Sequence, residues 1–505
     1  MSNSLFFNER VMDLATEKKA VEKPKELVSL ADIVRHGDKL ILPERMAIDD
    51  AILMLQRQKK YDEEVITLTR VVDCFPWDGA ICMSTAMKEL FGWVTAEPVK
   101  SFFGDNPPQL IQVNIGYQRK QSVAWGEFSL PGIRGRVATG SAMSGTPPMI
   151  HFKMIASIVR SHESAITKLF DLTEEYIRTQ SIYRGQAIKM RFKDEDGDVN
   201  PLPMPQFLDL SKINANELVY PKDIEASIST NLFTLIEHTQ ACVSVGIPLK
   251  RGVLFEGPYG VGKSLAAYVT AKKASDNGWT YLYCEHADEL QYMVNFAHQY
   301  QPAVIFCEDI DRVVTGERSV AMDEILNIID GIEAKNTKII IVLTTNFLGK
   351  INKAMLRPGR LDAIISLRAP DAEAVTRLIK QYSRGQLVVE TEEDHKMMAS
   401  VGMLLQGKVP AAIRECVERA KLSAIKLSNG LSGEITPSAL RDSAISMQSQ
   451  FEAMHSGNNG MVATTRADVV RYFSEKLVSD LLVDMTEANH DLGLEVYGEA
   501  AGATK

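Results

Sequence analysis

One octapeptide, Gly257-Pro258-Tyr259-Gly260-Val261-Gly262-Lys263-Ser264, constrains the fold of this chain more than any other feature. The apolar run Gly252-Val253-Leu254-Phe255 enters it, and a helix-forming stretch beginning Leu265-Ala266-Ala267 leaves it. The pattern G-x-x-x-x-G-K-[ST] between a strand and a helix is that of a phosphate-binding loop. Its glycines let the backbone wrap with N–H groups turned inward, and the helix N-terminus adds positive potential. In such a loop Lys263 reaches the β- and γ-phosphates of a nucleotide, and the Ser264 hydroxyl takes a place on Mg2+. Residues 257 to 265, ending at Leu265, are therefore the candidate nucleotide contacts.

The next signal is Pro302-Ala303-Val304-Ile305-Phe306-Cys307-Glu308-Asp309-Ile310-Asp311. A continuous apolar strand ending in acids suits a strand buried on both faces, with carboxylates emerging beside the phosphates. One acid orients Mg2+ or its waters, and the next polarises the attacking water. A third strand, Lys338 to Leu343, runs into Thr344-Thr345-Asn346, whose amide is placed to help position that water. Beyond it stands Ala354-Met355-Leu356-Arg357-Pro358-Gly359-Arg360-Leu361-Asp362, two arginines around a Pro-Gly turn.

Taken together, these motifs resemble the ATPase module of the AAA family, over about 218–444. The shared order runs from Arg251-Gly252-Val253-Leu254 through the phosphate loop and the acid-tipped strand. It continues through Ile325-Leu326-Asn327-Ile328-Ile329-Asp330-Gly331, Thr344-Thr345-Asn346 and the arginine segment. The resemblance implies an α/β fold: a P-loop AAA+ parallel sheet of order 5-1-4-3-2 with a helical lid. Its last strand falls near Ala363-Ile364-Ile365-Ser366-Leu367. It also implies ATP and Mg2+ as ligands, Glu308 as the metal-side acid, Asp309 as catalytic base and Asn346 as sensor 1. Arg357 and Arg360 become arginine fingers reaching the active site of a neighbouring copy, which requires a homo-oligomeric ring, most often a hexamer. Fingers of this kind contribute roughly 10³ to 10⁵ in rate.

Three features depart from the family pattern. The acid pair reads Glu-Asp where most members have Asp-Glu, an order shared with the subgroup resembling the mitochondrial Rieske-protein translocase. The segment Glu285 to Met293 lacks the aromatic–hydrophobic–glycine triad of a substrate-gripping pore loop, and Tyr292-Met293 has the spacing of helix core with Val294, Phe296 and Ala297. In the lid, Gly407 to Arg414 carries alanine where a sensor-2 arginine is sought. Arg414 is a candidate for that arginine and otherwise reads as a charged helix face, and Val219 and Tyr220 mark only the neighbourhood of the adenine contacts.

The rest of the 505 residues divides around this module. Residues 1–44 read as an arm or linker. An α+β N-terminal domain over 45–213 shows helical spacing at Ile48–Leu55, Thr85–Leu90 and Glu163–Ile177. Period-two alternation marks strands at Ile111/Val113/Ile115, Val123/Trp125, Ile150/Phe152/Met154 and Gln186–Phe192. Asp194–Asp198 has its glycine too early for an EF-hand and reads as an acidic turn. The large ATPase subdomain is assigned 214–368, the lid 369–456, and a helical extension with a loose Gly/Ala-rich tail 457–505.

Formal charge is −9, which gives no overall attraction to nucleic acid or anionic membrane. No run has the length of a spanning helix, and the N-terminus lacks the basic start and apolar core of a secretory signal. The six cysteines have no metal-ligand or disulfide spacing, so a reducing cytoplasmic setting is expected. The leading functional expectation is ATP-driven remodelling of a protein partner recruited by the N-terminal domain. The alternatives are a nucleic-acid-associated loader and an ATP-stabilised scaffold with little turnover.

Overall fold

The computed structural model describes residues 34–36, 39–43, 46–101, 104–145, 148–194, 196–214, 217–312, 337–351, 360–429 and 433–448. The expected features at 1–33 and 457–505, the Ile325–Gly331 run and Arg357 lie outside the described residues.

Alternation and helical spacing become an antiparallel sheet backed by helices in the N-terminal region. Helix α1 (Ile48–Asp62) leads into strand β1 (Val65–Val72), then helix α2 (Pro76–Phe91). Strands β2 (Thr95–Ala96), β3 (Glu127–Ser129), β4 (Gly135–Ser144) and β5 (Met149–Val159) follow, and helix α3 (Glu163–Thr179) closes the unit. The sheet order is β1-β5-β4-β3-β2, antiparallel throughout. Along β5, Ile150, Phe152, Met154, Ala156 and Ile158 are buried while their neighbours point away, as a strand with one covered face demands. Residues Leu110–Gly116 and Arg119–Ala124 pair instead as a hairpin of their own. Helix α2 lies so close to β5 that a Cβ on Gly79 would fall 2.1 Å from Phe152 Cγ.

The second sheet is built from β6 (Ala187–Lys189), β7 (Gln206–Phe207), β8 (Arg251–Glu256), β9 (Thr280–Cys284), β10 (Ala303–Cys307), β11 (Ile339–Thr345) and β12 (Ala363–Ser366). Its order is β7-β6-β9-β10-β11-β8-β12. The five strands from β12 to β9 are parallel and follow the expected 5-1-4-3-2 order. Every residue of β10 and β11 is buried, because helices or the N-terminal unit cover both faces. Burying one such Val, Ile, Leu or Phe side chain is worth about 1.5–3 kcal/mol. Helices α4 (Lys222–Ile228), α5 (Lys263–Asp276) and α6 (Leu290–Gln299) belong to this layer.

The strand at 186–192, grouped by sequence with the N-terminal domain, is corrected by this topology. β6 pairs in parallel with β9, Ala187 opposite Tyr281, and β7 pairs antiparallel with β6. The extra strands occupy what would be an open edge of β9, and Ala187 and Ile188 are buried in two different cores. One hydrophobic core runs from Phe152 and Met154 through Phe75 and Phe296 to Ile305 and Leu343. Across this joint Phe75 N donates to Tyr300 Oη at 2.8 Å, and Gln299 Nε2 donates to Ile150 O at 2.8 Å.

The lid holds α7 (Ala372–Ser383), α8 (Glu392–Leu405), α9 (Pro410–Leu427) and α10 (Pro437–Ser446), around Val375, Ile379, Val401, Ile413 and Val417. Its helix starts are encoded locally: Asp371 caps α7, Thr391 and Asp394 form a capping box on α8, and Pro410 opens α9. In the acidic segment Asp194 N donates to Asp198 O at 3.0 Å and Gly197 N to Asp194 O at 3.3 Å. No helix among the described residues is long and apolar enough to cross a membrane.

Candidate active site

The phosphate loop leaves the carboxyl end of β8 and runs straight into α5, which begins at Lys263, two residues earlier than the sequence reading placed it. Gly262 is left-handed at φ +101°, and a Cβ on Gly257 would stand 2.3 Å from Leu367 O. Both positions therefore need glycine, one for its backbone angle and one for close approach. Val261 is buried beneath the loop, in the core shared with β8 and α5. The loop opens on a cavity of about 360 Å³ lined by Tyr259, Gly260, Gly262, Lys263, Ser264 and Leu265, with Glu308, Asp309 and Asn346 across from them.

Lys263 Nζ donates to Gly257 O at 2.5 Å, Pro258 O at 3.0 Å and Asn346 Oδ1 at 2.6 Å. Burial lowers the Lys263 pKa, while Asp309, Asp311, Glu308 and Glu256 pull it upward. Asn346 Nδ2 in turn donates to Asp309 Oδ1 at 2.9 Å. The three residues, brought together from α5, the tip of β11 and the tip of β10, form one hydrogen-bonded chain across the cavity.

The reversed acid order has a local physical account. Asp309 sits at φ +48° and its N–H donates to Thr344 Oγ1 at 2.9 Å. Left-handed backbone is tolerated by aspartate better than by longer side chains, so the short acid suits this turn. Glu308, one methylene longer, lines the same cavity as Ser264. Its N–H donates to Cys284 O at 3.1 Å, and its Oε1 is buried without a hydrogen-bond partner. Burial, and next the Glu308 carboxylate, push the neighbouring Tyr283 phenol well above its ordinary pKa. A buried, unmatched carboxylate oxygen and a serine hydroxyl lining one cavity are a hard-oxygen set that fits Mg2+.

The sequence reading gave Asp311 no role and placed Arg414, Val219 and Tyr220 only loosely. Asp311 is 5% exposed, and its Oδ1 accepts from Thr345 Oγ1 at 2.9 Å and from Asn346 N at 3.0 Å, which holds the sensor strand tip. Its signal was the third acid in Glu308-Asp309-Ile310-Asp311. Arg414, candidate for the lid arginine and otherwise read as a charged helix face, lines the cavity, with its guanidinium 4.9 Å from the Tyr382 ring, which lines it too. The first turns of α9 aim Arg414 at the loop, an orientation set by lid packing. Val219 packs on the lid core, and Tyr220 hydrogen-bonds the phosphate loop.

Arg360 is not brought to this cavity. It precedes β12 at the amino end of β8, where a Cβ on Gly252 would meet Arg360 O at 2.3 Å. Gly252 N donates to Asp362 Oδ2 at 2.9 Å at the same end. The length of β8 puts roughly 15 Å between Arg360 and the loop of its own chain. Tyr292 and Met293 lie on α6, with Met293 buried and Tyr292 stacked on Phe192 at 5.1 Å, in line with their reading as helix core.

Residues 253–369 match the family described as "ATPase family associated with various cellular activities (AAA)". That stretch is similar to an AAA ATPase domain. The ATPase family gene 2 protein of Saccharomyces cerevisiae is 26% identical over 285 residues, covering 50% of this chain and 36% of that protein. The 26S proteasome regulatory subunit 8 homolog of Schizosaccharomyces pombe is 32% identical over 169 residues, 30% of this chain and 41% of its own length. The ATP-dependent zinc metalloprotease FtsH of Mycoplasmopsis pulmonis is 31% identical over 173 residues, 31% of this chain and 24% of its own. The chain thus spans less than half the length of these curated relatives.

Proposed function

We propose that this chain hydrolyses ATP to ADP and phosphate as a homo-oligomeric ring, most simply a hexamer, and uses the cycle to remodel a protein partner held by its N-terminal unit. The observation that carries this reading is the Lys263–Asn346–Asp309 hydrogen-bond chain across the loop cavity. Backbone N–H groups of residues 260 to 265 receive the phosphates, and the Lys263 ammonium adds charge at the γ-position. Phosphate oxygens are stronger acceptors for Lys263 than amide carbonyls, so Asn346 is released to orient water with Asp309. Asp309 polarises that water and takes its proton as the Pγ–O bond to ADP breaks. Ser264 and Glu308 would hold Mg2+, which neutralises phosphate charge. Arg360, and Arg357 with it, act on the cavity of the next copy, a role that suits the distance of Arg360 from its own loop.

The N-terminal unit is the arm through which force reaches the partner. Support comes from the joint at the end of α6, where Gln299 Nε2 donates to Ile150 O and Phe75 N donates to Tyr300 Oη, while the segment after β9 is held by β6 and the residues just past it. Glu289 accepts from Phe192 N at 3.1 Å and Lys193 N at 2.9 Å, Lys193 pairs with Asp288 at 2.6 Å, and Lys189 pairs with Glu285 at 2.6 Å. A segment so engaged is poorly placed to thread polypeptide. The six cysteines are buried free thiols, as suits a reducing cytoplasmic compartment.

Phosphate release by purified protein tests the reading. Wild type should turn over ATP, and Lys263→Ala and Asp309→Asn should lose at least 10²-fold. Rings mixing Arg360→Ala with Lys263→Ala subunits should regain activity that neither variant has alone. Equal, near-zero rates for wild type and Asp309→Asn would leave the scaffold alternative. No recovery in rings proven to be mixed would remove the finger from the neighbouring site.

A further inference from the structure

We propose that Tyr220 is a positioning residue that ties the helical lid to the phosphate loop and thereby sets affinity for the nucleoside triphosphate. The proposal rests on the nucleotide reading above and assigns a role that the loop motif does not contain.

Tyr220 is 2% exposed, and its Oη donates to Gly262 O at 3.1 Å. The same carbonyl accepts from Ala266 N at 2.9 Å, the first hydrogen bond of α5. Two donors therefore hold one peptide plane. A trans peptide is planar with its C=O and N–H opposed, so fixing the Gly262 carbonyl away from the cavity aims the Lys263 N–H toward it. That N–H is among those that bind phosphate in a loop of this kind. Burial keeps the Tyr220 phenol far above its ordinary pKa, so it remains a donor.

The other end of Tyr220 is held by the lid. Its N–H donates to Glu225 Oε1 at 3.0 Å, and Arg377 Nη1 on α7 donates to both Glu225 oxygens at 2.8 and 3.0 Å. Arg377 Nη2 also donates to Tyr220 O. One turn further along α7, Gln381 Nε2 donates to Glu217 O at 3.0 Å. A planar guanidinium that engages a carboxylate and a backbone carbonyl together transmits its orientation as well as its charge. A shift of α7 is thereby carried through Tyr220 to the peptide that presents Lys263 N–H.

The test is the dissociation constant of a non-hydrolysable ATP analogue, with amide hydrogen exchange at Lys263 and Ser264. Tyr220→Phe keeps the ring and removes one neutral hydrogen bond, so affinity should weaken about 3- to 10-fold. The two amides should exchange faster without nucleotide. Arg377→Gln should weaken affinity in the same range, and the double variant should lose less than the product of the two. A purely structural tyrosine would lower the thermal midpoint and leave the affinity of folded protein alone. Affinity within twofold of wild type in folded Tyr220→Phe, or multiplicative losses in the double variant, overturns the proposal. Absent binding by wild type itself would take down the nucleotide reading along with it.

Discussion

Asp311 touches neither water nor phosphate in the proposed reaction, yet its removal should disable the site. One oxygen, Oδ1, accepts from Thr345 Oγ1 at 2.9 Å and from Asn346 N at 3.0 Å, at the buried tip of β11. A hydrogen bond to an ionised acceptor is worth about 1.5–3 kcal/mol net, and an orphaned buried donor costs about 1–3. Losing both bonds in Asp311→Ala comes to about 3–6 kcal/mol. The variant also relieves the desolvation of a buried carboxylate, so a net loss of about 3 kcal/mol is expected. Asn346 Nδ2 stands 2.9 Å from Asp309, and a slip of about 1 Å at such a contact costs about 10² in rate. Asp311→Asn keeps an oxygen where both donors point and should lose no more than about 1 kcal/mol. Urea midpoints and steady-state phosphate release, measured on both variants, check the reasoning. If Asp311→Ala stays within about 0.5 kcal/mol of wild type with full turnover, the acceptor role is wrong. If Asn is as damaging as Ala, charge rather than acceptor geometry holds the strand tip.

Two further outcomes follow from the N-terminal unit. Asp78 is fully buried, and burial pushes its carboxyl up to about 6 against hydrogen bonds from Ser181 Oγ at 2.6 Å and Ile182 N at 2.9 Å. Because the folded value lies above the unfolded one, the folded state binds the extra proton, and stability from this group falls as pH rises from about 4 to 6. Two units correspond to about 3 kcal/mol, so Asp78→Asn should gain on wild type by up to that amount between pH 4 and 7 in urea melts. A constant difference across that window would refute it. Gly79→Ala drives a methyl to 2.1 Å from Phe152 Cγ in a packed core, so stability should drop by about 3 kcal/mol and Phe152→Leu should partly restore it. An unchanged thermal midpoint would show that α2 can shift away from β5.

Contiguous residues by themselves determined the phosphate loop, the two buried strands that flank its chemistry, and the caps of the lid helices. A glycine forced to φ +101°, an unbroken apolar run or a Thr391–Asp394 capping box is settled within a few positions of chain, where sterics and hydrogen bonding are local. The 5-1-4-3-2 order was implied by the family resemblance that those motifs carry, and the five parallel strands follow it. Tertiary structure alone decided where β6 goes, since its pairing of Ala187 with Tyr281 closes a loop far too long for any local pattern to signal. It likewise turned Arg414 into the cavity, set Asp311 under Asn346 and put Tyr220 between lid and loop. A charged or aromatic side chain carries no mark of its partner in the sequence. Its role is settled only when packing brings the acceptor within reach and removes the water that would otherwise take its place.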